Sequence, residues 1–185
     1  MVKLLLIVAV FLNLASCGTN VFETVDYGKV ENEAAAELEK DNPDKAISLL
    51  EEALLTDPNN AIYISLLSEA YAQKFGVSLL DIALAMASSA TALASSSTDL
   101  VRIWSILPAP SEAVLTGVSY AVELLESIAS TKRTDTDNFK LSLLAVTLVN
   151  LQLKALDTDG DGNLSAEELA NLTVEDATTL ITALG

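Results

Sequence analysis

The chain has 185 residues, about one domain, with 10 Lys+Arg against 26 Asp+Glu and a formal net charge of −16. Such a surface repels phosphate backbones and anionic headgroups, which argues against nucleic acid as a partner. With no histidine and a single cysteine, it lacks the commonest general base and cannot close an internal disulfide.

Hydrophobic residues make up 51% of the chain and aromatics only 5%, so the core has to be built from Leu, Ala, Val and Ile. Ala and Leu favour helix, and only 7 glycines and 4 prolines interrupt them. No run of β-branched residues alternates strictly, so the expected fold class is all-α.

The chain opens MVKLLLIVAVFLNLASC, with Lys3 ahead of an apolar run from Leu4 to Leu12. That run falls short of the about 20 residues a helix needs to cross a bilayer, and it has the proportions of a secretory signal peptide. Its ending, Leu14-Ala15-Ser16-Cys17, resembles the lipobox of bacterial lipoproteins. The resemblance implies a signal peptide over 1–16, a diacylglyceryl group on the Cys17 thiol and further acylation of the new N-terminus. Several acyl chains, at about 0.8 kcal/mol per buried CH₂, anchor a protein that its acidic surface would not hold on a membrane. The same residues also read as an ordinary leader followed by an unmodified thiol. Gly18 is not the aspartate associated with inner-membrane retention, so the resemblance implies the outer membrane of a two-membrane bacterium.

Residues 17–29 read as the lipidated cysteine and a polar tether. Helical composition begins at Val30 and runs to Lys40. Asn42-Pro43 supplies a cap and a first-turn proline for a helix through Leu55, and Asp57-Pro58 repeats the device before Ile62, Ile64, Leu67 and Tyr71. This pattern resembles the tetratricopeptide repeat, a helix pair of about 34 residues. With Pro58 as a terminal proline, Ala34, Ala46, Leu50 and Ala53 fall on the family's packing positions, and Leu67, Ser68 and Tyr71 begin a second unit. Glu33 and Glu37 depart from the pattern, and Phe75-Gly76-Val77 offsets the second helix of the second unit. The likeness therefore covers about one and a half repeats, within a segment of repeat-like helices over 30–107.

Residues Ala85–Ser97 are an Ala/Ser-rich stretch, read as helix in preference to linker. Pro108-Ala109-Pro110 breaks the chain after Trp104, and Ser111 caps a helix to about Ser130. After a polar turn, Asp137 is the expected cap of a helix over 138–156, apolar nearly all round and so suited to a central, buried place. Lys140, Asn150, Gln152 and Lys154 interrupt it too often for a membrane span. The expectation for 108–185 is a helical bundle that carries an acidic loop.

That loop, residues 157–168, reads DTDGDGNLSAEE: it places an acid at every second position, then glycine, and ends on glutamate. It resembles the EF-hand calcium loop, which needs oxygen donors at alternate places, glycine sixth and glutamate twelfth. The resemblance makes Asp157, Asp159, Asp161, Asn163, Ser165 and Glu168 the metal positions, with Leu164 turned toward the core or a partner loop. Ca²⁺ takes about six to eight oxygens in tolerant geometry, which favours it over Mg²⁺. No second loop occurs: Thr134–Asn138 lacks the glycine and the final glutamate. Thr173 is the expected cap of a last helix through Leu184.

These readings lead to an expected function: a lipid-anchored, calcium-binding helical adaptor of the bacterial cell envelope, with a membrane partner through Cys17 and an envelope protein or peptide as the other. A solute-binding accessory subunit of an envelope transporter is the alternative. An enzyme is not expected, because nucleophile–base chemistry has no evident players.

Overall fold

The computed structural model describes residues 28–90 and 103–170. The expectations for the leader, Cys17, most of the tether, the Ala/Ser stretch beyond Ala90 and the last helix after Thr173 fall outside them.

The described residues form seven helices and no strand, which bears out the all-α expectation: α1 Lys29–Glu39, α2 Pro43–Thr56, α3 Ala61–Lys74, α4 Leu79–Ala90, α5 Glu112–Ser127, α6 Asp135–Leu156 and α7 Ala166–Ala170. A further helical turn occupies 103–106. In packing order, α2 lies on α1 and α3, α3 on α5, and α5 on α6.

The corner between α1 and α2 is held by one carboxylate. Glu37 accepts from Lys40 and Lys45 at 3.1 and 3.0 Å and from the Asn42 amide at 3.0 Å. Asn42 stands at the cap position expected of it, but its side chain serves Glu37 instead of the helix N-terminus. Asp41 takes the left-handed conformation, φ 58°, and Gln73 from the end of α3 bonds both the Leu38 carbonyl and the Asp41 carboxylate. The C-terminal ends of α1 and α3 are thereby tied together.

Two other starts differ from expectation. Helix α3 begins at Ala61, not at Pro58: Asn60 is the cap, its Oδ1 accepting from the Ile62 and Tyr63 N–H groups at 3.0 and 3.2 Å. An asparagine side chain can satisfy two orphan donors at once, which a proline ring cannot. For α6 the cap is Thr134, not Asp137. The two form a reciprocal capping box, Asp137 accepting from the Thr134 N–H and returning its own N–H to Oγ1. Ser111 caps α5 as expected, its Oγ accepting from the Val114 N–H at 3.3 Å.

A small aliphatic cluster of Ala34, Leu38, Ala46, Ile47, Leu50, Leu67 and Ala70 lies between α1, α2 and α3. The larger core runs from Ile64, Ala72, Val77 and Ile82 through Trp104 and Leu107 to Val118, Leu125, Leu144, Leu148 and Leu151. It draws on residues from both sides of the Pro108–Pro110 break. Helix α3 supplies both clusters and approaches α5 closely where Ser68 Oγ donates to the Ala121 carbonyl at 2.7 Å.

Helix α6 is the one described helix long and apolar enough to cross a membrane, yet it buries a single face and leaves Phe139 57% exposed. The expectation of burial all round is corrected accordingly. Three of its polar interruptions have partners. Lys140 pairs with Glu69 at 2.8 Å, and Asn150 accepts from the Trp104 indole at 3.2 Å. Lys154 donates to the Trp104 and Leu107 carbonyls at 2.6 and 2.9 Å.

Candidate metal centre

Helix α6 ends at Leu156 and delivers Asp157 as its C-terminal cap residue. From there the loop folds around its own carboxylates, each closing a turn by accepting from a main-chain N–H further on. Asp157 accepts from Gly160 and Gly162 at 2.9 and 3.0 Å, Asp159 from Asp161 at 3.1 Å, and Asp161 from Asn163 at 2.7 Å. Such turns use the short reach of Asp, whose side chain bonds backbone a few residues ahead. Gly160 and Gly162 have φ of 74° and 79°, the left-handed region where a side chain is costly.

The result is that one carboxylate oxygen from each of Asp157, Asp159 and Asp161 lies within 4.8 Å of the others. Three carboxylates at that spacing repel unless a cation stands between them. Asp159 registers the crowding. The Asp161 N–H pulls its carboxyl down, but burial and the charges of Asp161 and Glu168 outweigh that bond and hold it above the ordinary value. An all-oxygen donor set suits a hard cation and offers nothing to a thiolate- or imidazole-seeking metal. The residues present fit a bound divalent ion.

Of the six positions expected from the sequence, these three aspartates converge. Glu168 is 6% exposed and faces Thr158 and Ser165. Its Oε2 accepts from the Ser165 N–H and hydroxyl at 2.9 Å each, and its Oε1 from the Thr158 N–H at 2.7 Å. The Ser165 and Thr158 N–H groups, followed by the Ser165 hydroxyl, hold its carboxyl down at about 2, against the opposing effect of burial. Ser165 also takes back the Glu168 N–H at 3.2 Å, so the pair is the capping box that starts α7. Asn163 directs its side chain to the Asp161 carbonyl at 3.5 Å. Leu164 packs against the main core, as expected of it.

Two residues escaped the sequence reading. Thr158 closes the ring from the second position of the loop to the last by donating N–H and Oγ1 to Glu168, and no spacing rule marks it. Lys154 secures the strap that carries Trp104 immediately beside the loop. A cleft of about 470 Å³ separates strap and loop, lined by Trp104, Lys154, Asp157, Asp161 and Gly162. The lone lysine near the end of an apolar helix was the available signal, since a partly buried ammonium has to find acceptors. Cys17, the expected lipidation site, lies outside the described residues.

No family model, no curated protein and no solved structure matches the chain.

Proposed function

We infer that the protein is a lipid-anchored, calcium-binding helical scaffold of the bacterial cell envelope, with calcium in a structural part. The convergence of Asp157, Asp159 and Asp161 within 4.8 Å carries the reading. Their positions in the twelve-residue EF-hand pattern, with Gly162 at positive φ and Glu168 at the end, support Ca²⁺ as the ion. Asp157, Asp159, Asp161 and Glu168 hold it by their carboxylates, with Asn163 contributing a carbonyl and Ser165 acting through a water. The ion supplies positive charge where the chain provides only acids, and so ties the start of α7 to the end of α6. A lone hand in a calcium-rich exterior binds at roughly 10⁻⁴–10⁻³ M and stays filled, which suits a clip better than a sensor.

The Leu14–Cys17 motif supports anchoring by acyl chains on Cys17, with outer-membrane placement. The packing of α2 on α1 and α3, together with the sequence's likeness to one and a half helical repeats, supports the role of adaptor for an envelope protein or peptide. The alternative, a solute-binding transporter subunit, takes support from a cleft of about 670 Å³ lined by Ile62, Leu66, Lys132 and Lys140. Purification from detergent-solubilised envelope separates the two: a stoichiometric protein partner favours the adaptor, a co-purifying small ligand the carrier. Calorimetric titration with CaCl₂ tests the metal. Heat that saturates at one ion per chain, and disappears in Asp157→Asn/Glu168→Gln, is the expected result; no heat from the unaltered chain ends the reading.

A further inference from the structure

Aromatic side chains make up 5% of this chain, yet three of them meet in one surface cleft between α3 and α5. Tyr71 and Phe75 stand one helical turn apart at the end of α3, and Tyr120 reaches across from α5. The Tyr71 and Tyr120 rings meet edge to face, centroids 4.8 Å apart and planes at 84°, so a face of each borders a common corner. The cleft encloses about 450 Å³ and is completed by Glu112, Thr116 and Gly117. Gly117 is what lets the third ring in: a Cβ there would collide with the Phe75 ring carbons.

Two features separate this cluster from ordinary core packing. The first is exposure: Tyr120 is 40% exposed, while the aliphatic core beside it is closed. The second is charge. Glu112 stands on the rim, Glu51 accepts from the Tyr71 hydroxyl at 2.9 Å, and among the described residues no lysine or arginine lines the cleft. Lys74, the base nearest in sequence on α3, pairs with Asp44 at 2.7 Å. The α1–α2 corner, in contrast, meets its carboxylate with lysines of its own.

We propose that this cleft binds a methylated ammonium group, the chemistry of choline-type headgroups. Ring faces carry the negative lobe of the aromatic quadrupole and attract a cation lying within about 6 Å of their centroids. A trimethylammonium is weakly hydrated and apolar outside, so it gains from ring contact what a strongly hydrated Na⁺ or Ca²⁺ would lose in dehydration. The carboxylates of Glu112 and Glu51 supply long-range attraction and select against neutral shapes of the same size. Such a group arrives either as a free solute or at the end of a lipid.

The full chain in maltoside micelles, with its tyrosine and phenylalanine rings isotope-labelled, is titrated with choline chloride and followed by NMR. NaCl at matched ionic strength and the neutral isostere 3,3-dimethylbutan-1-ol serve as controls. Saturable shifts of the Tyr71 and Tyr120 resonances with choline alone support the site. Tyr120→Phe keeps a ring and keeps binding, whereas Tyr120→Leu keeps bulk and weakens it by about tenfold, a factor within the range of a partly desolvated cation–π contact. Both variants are checked for an unchanged melting temperature, and Glu112→Gln, a change on an exposed rim, provides a second test by weakening choline without moving the fold. Dihexanoylphosphatidylcholine below its micelle concentration identifies the source: tighter binding than choline points to a lipid headgroup, weaker binding to a free solute. Equal response to the neutral isostere, or shifts that stay linear into the tens of millimolar, overturns the proposal.

Discussion

Two corners of this molecule are organised around carboxylates, and they balance negative charge in opposite ways. At the α1–α2 corner a single glutamate, Glu37, gathers two lysines and an amide; the Lys45 bond first, then those of Lys40 and Asn42, hold its carboxyl at about 2. At the loop after α6, four acids share only N–H and hydroxyl donors, and Asp159 is pushed up by its neighbours. The first corner carries its cations in its own sequence. The second has none among the described residues and, on the proposed reading, recruits one from solution. The contrast is between an acidic turn whose opposite charge lies in the chain itself and one whose acids meet only N–H and hydroxyl donors.

The largest expected effect breaks the comparison directly. If calcium is the missing cation, an ion present at a hundredfold excess over its dissociation constant adds about 2.7 kcal/mol to stability. For a chain of this size that is a rise in melting temperature on the order of 5–10 °C. Scanning calorimetry in about 10 mM calcium, a hundredfold excess for a constant near 10⁻⁴ M, and in chelator measures it, and Asp157→Asn/Glu168→Gln should abolish the difference. Lys40→Ala/Lys45→Ala should lower the melting temperature by the same amount in both buffers. Equal curves for the unaltered chain would mean that the two corners do not differ in kind. Next in size is Gly160→Ala. A Cβ there meets nothing within 4 Å, so its cost is the left-handed backbone alone, about 1–2 kcal/mol by urea unfolding.

Much of the fold was legible in the residues, for reasons that also explain the gaps. Helix breaks at Asn42-Pro43 and Pro108–Pro110 were readable because proline and capping chemistry act locally. The start of α3 was misplaced because Asp57-Pro58 and Asn60 both offer caps, and only the two N–H groups that share the Asn60 Oδ1 decide between them. The three aspartates were legible since loop spacing alone brings them together. The partners of Lys154 and the ring on Gly117 were not, because they join residues far apart in the chain: Lys154 to the strap at Trp104, Gly117 to Phe75. Burial of one face of α6 depended on which neighbours the chain sends there, which composition does not encode.

Smaller effects sharpen the contrast through pH, measured in chelator so that no ion intervenes. Glu37 has a folded value of about 2 against an ordinary 4.5. Its contribution is therefore complete above pH 4.5 and is lost as pH falls through that window toward 2. Asp159 has the opposite sign. Its raised value means that protonation favours the folded loop, so its contribution is present below 3.8 and lost as pH rises through the folded value. At neutral pH, Asp159→Asn should therefore raise the melting temperature in chelator while reducing the gain from calcium. A lowered melting temperature in chelator would show that repulsion does not govern the empty loop.

The smallest effect concerns backbone conformation, where the corners also differ. Asp41 holds φ 58° without being glycine, whereas the acidic loop uses Gly160 and Gly162 at comparable angles. Replacing Asp41 by glycine relieves a left-handed penalty of about 1 kcal/mol. It also frees the unfolded chain, worth about 0.5–1 kcal/mol in the other direction, and removes the acceptor that Gln73 reaches at 3.0 Å. These oppose one another, so Asp41→Gly should change stability by less than about 0.5 kcal/mol, the range of an ordinary surface substitution. Gly160→Ala is offset only by the stiffer unfolded chain, because its side chain gains no partner in the open space around it. Urea unfolding of the two variants side by side decides the matter. A gain above about 1 kcal/mol for Asp41→Gly would mean that the Gln73 bond contributes nothing and that the α1–α2 corner is strained like any left-handed residue. A loss of that size would make the Asp41 carboxylate, and not the Leu38 carbonyl that Gln73 also reaches, the chief tie between the ends of α1 and α3.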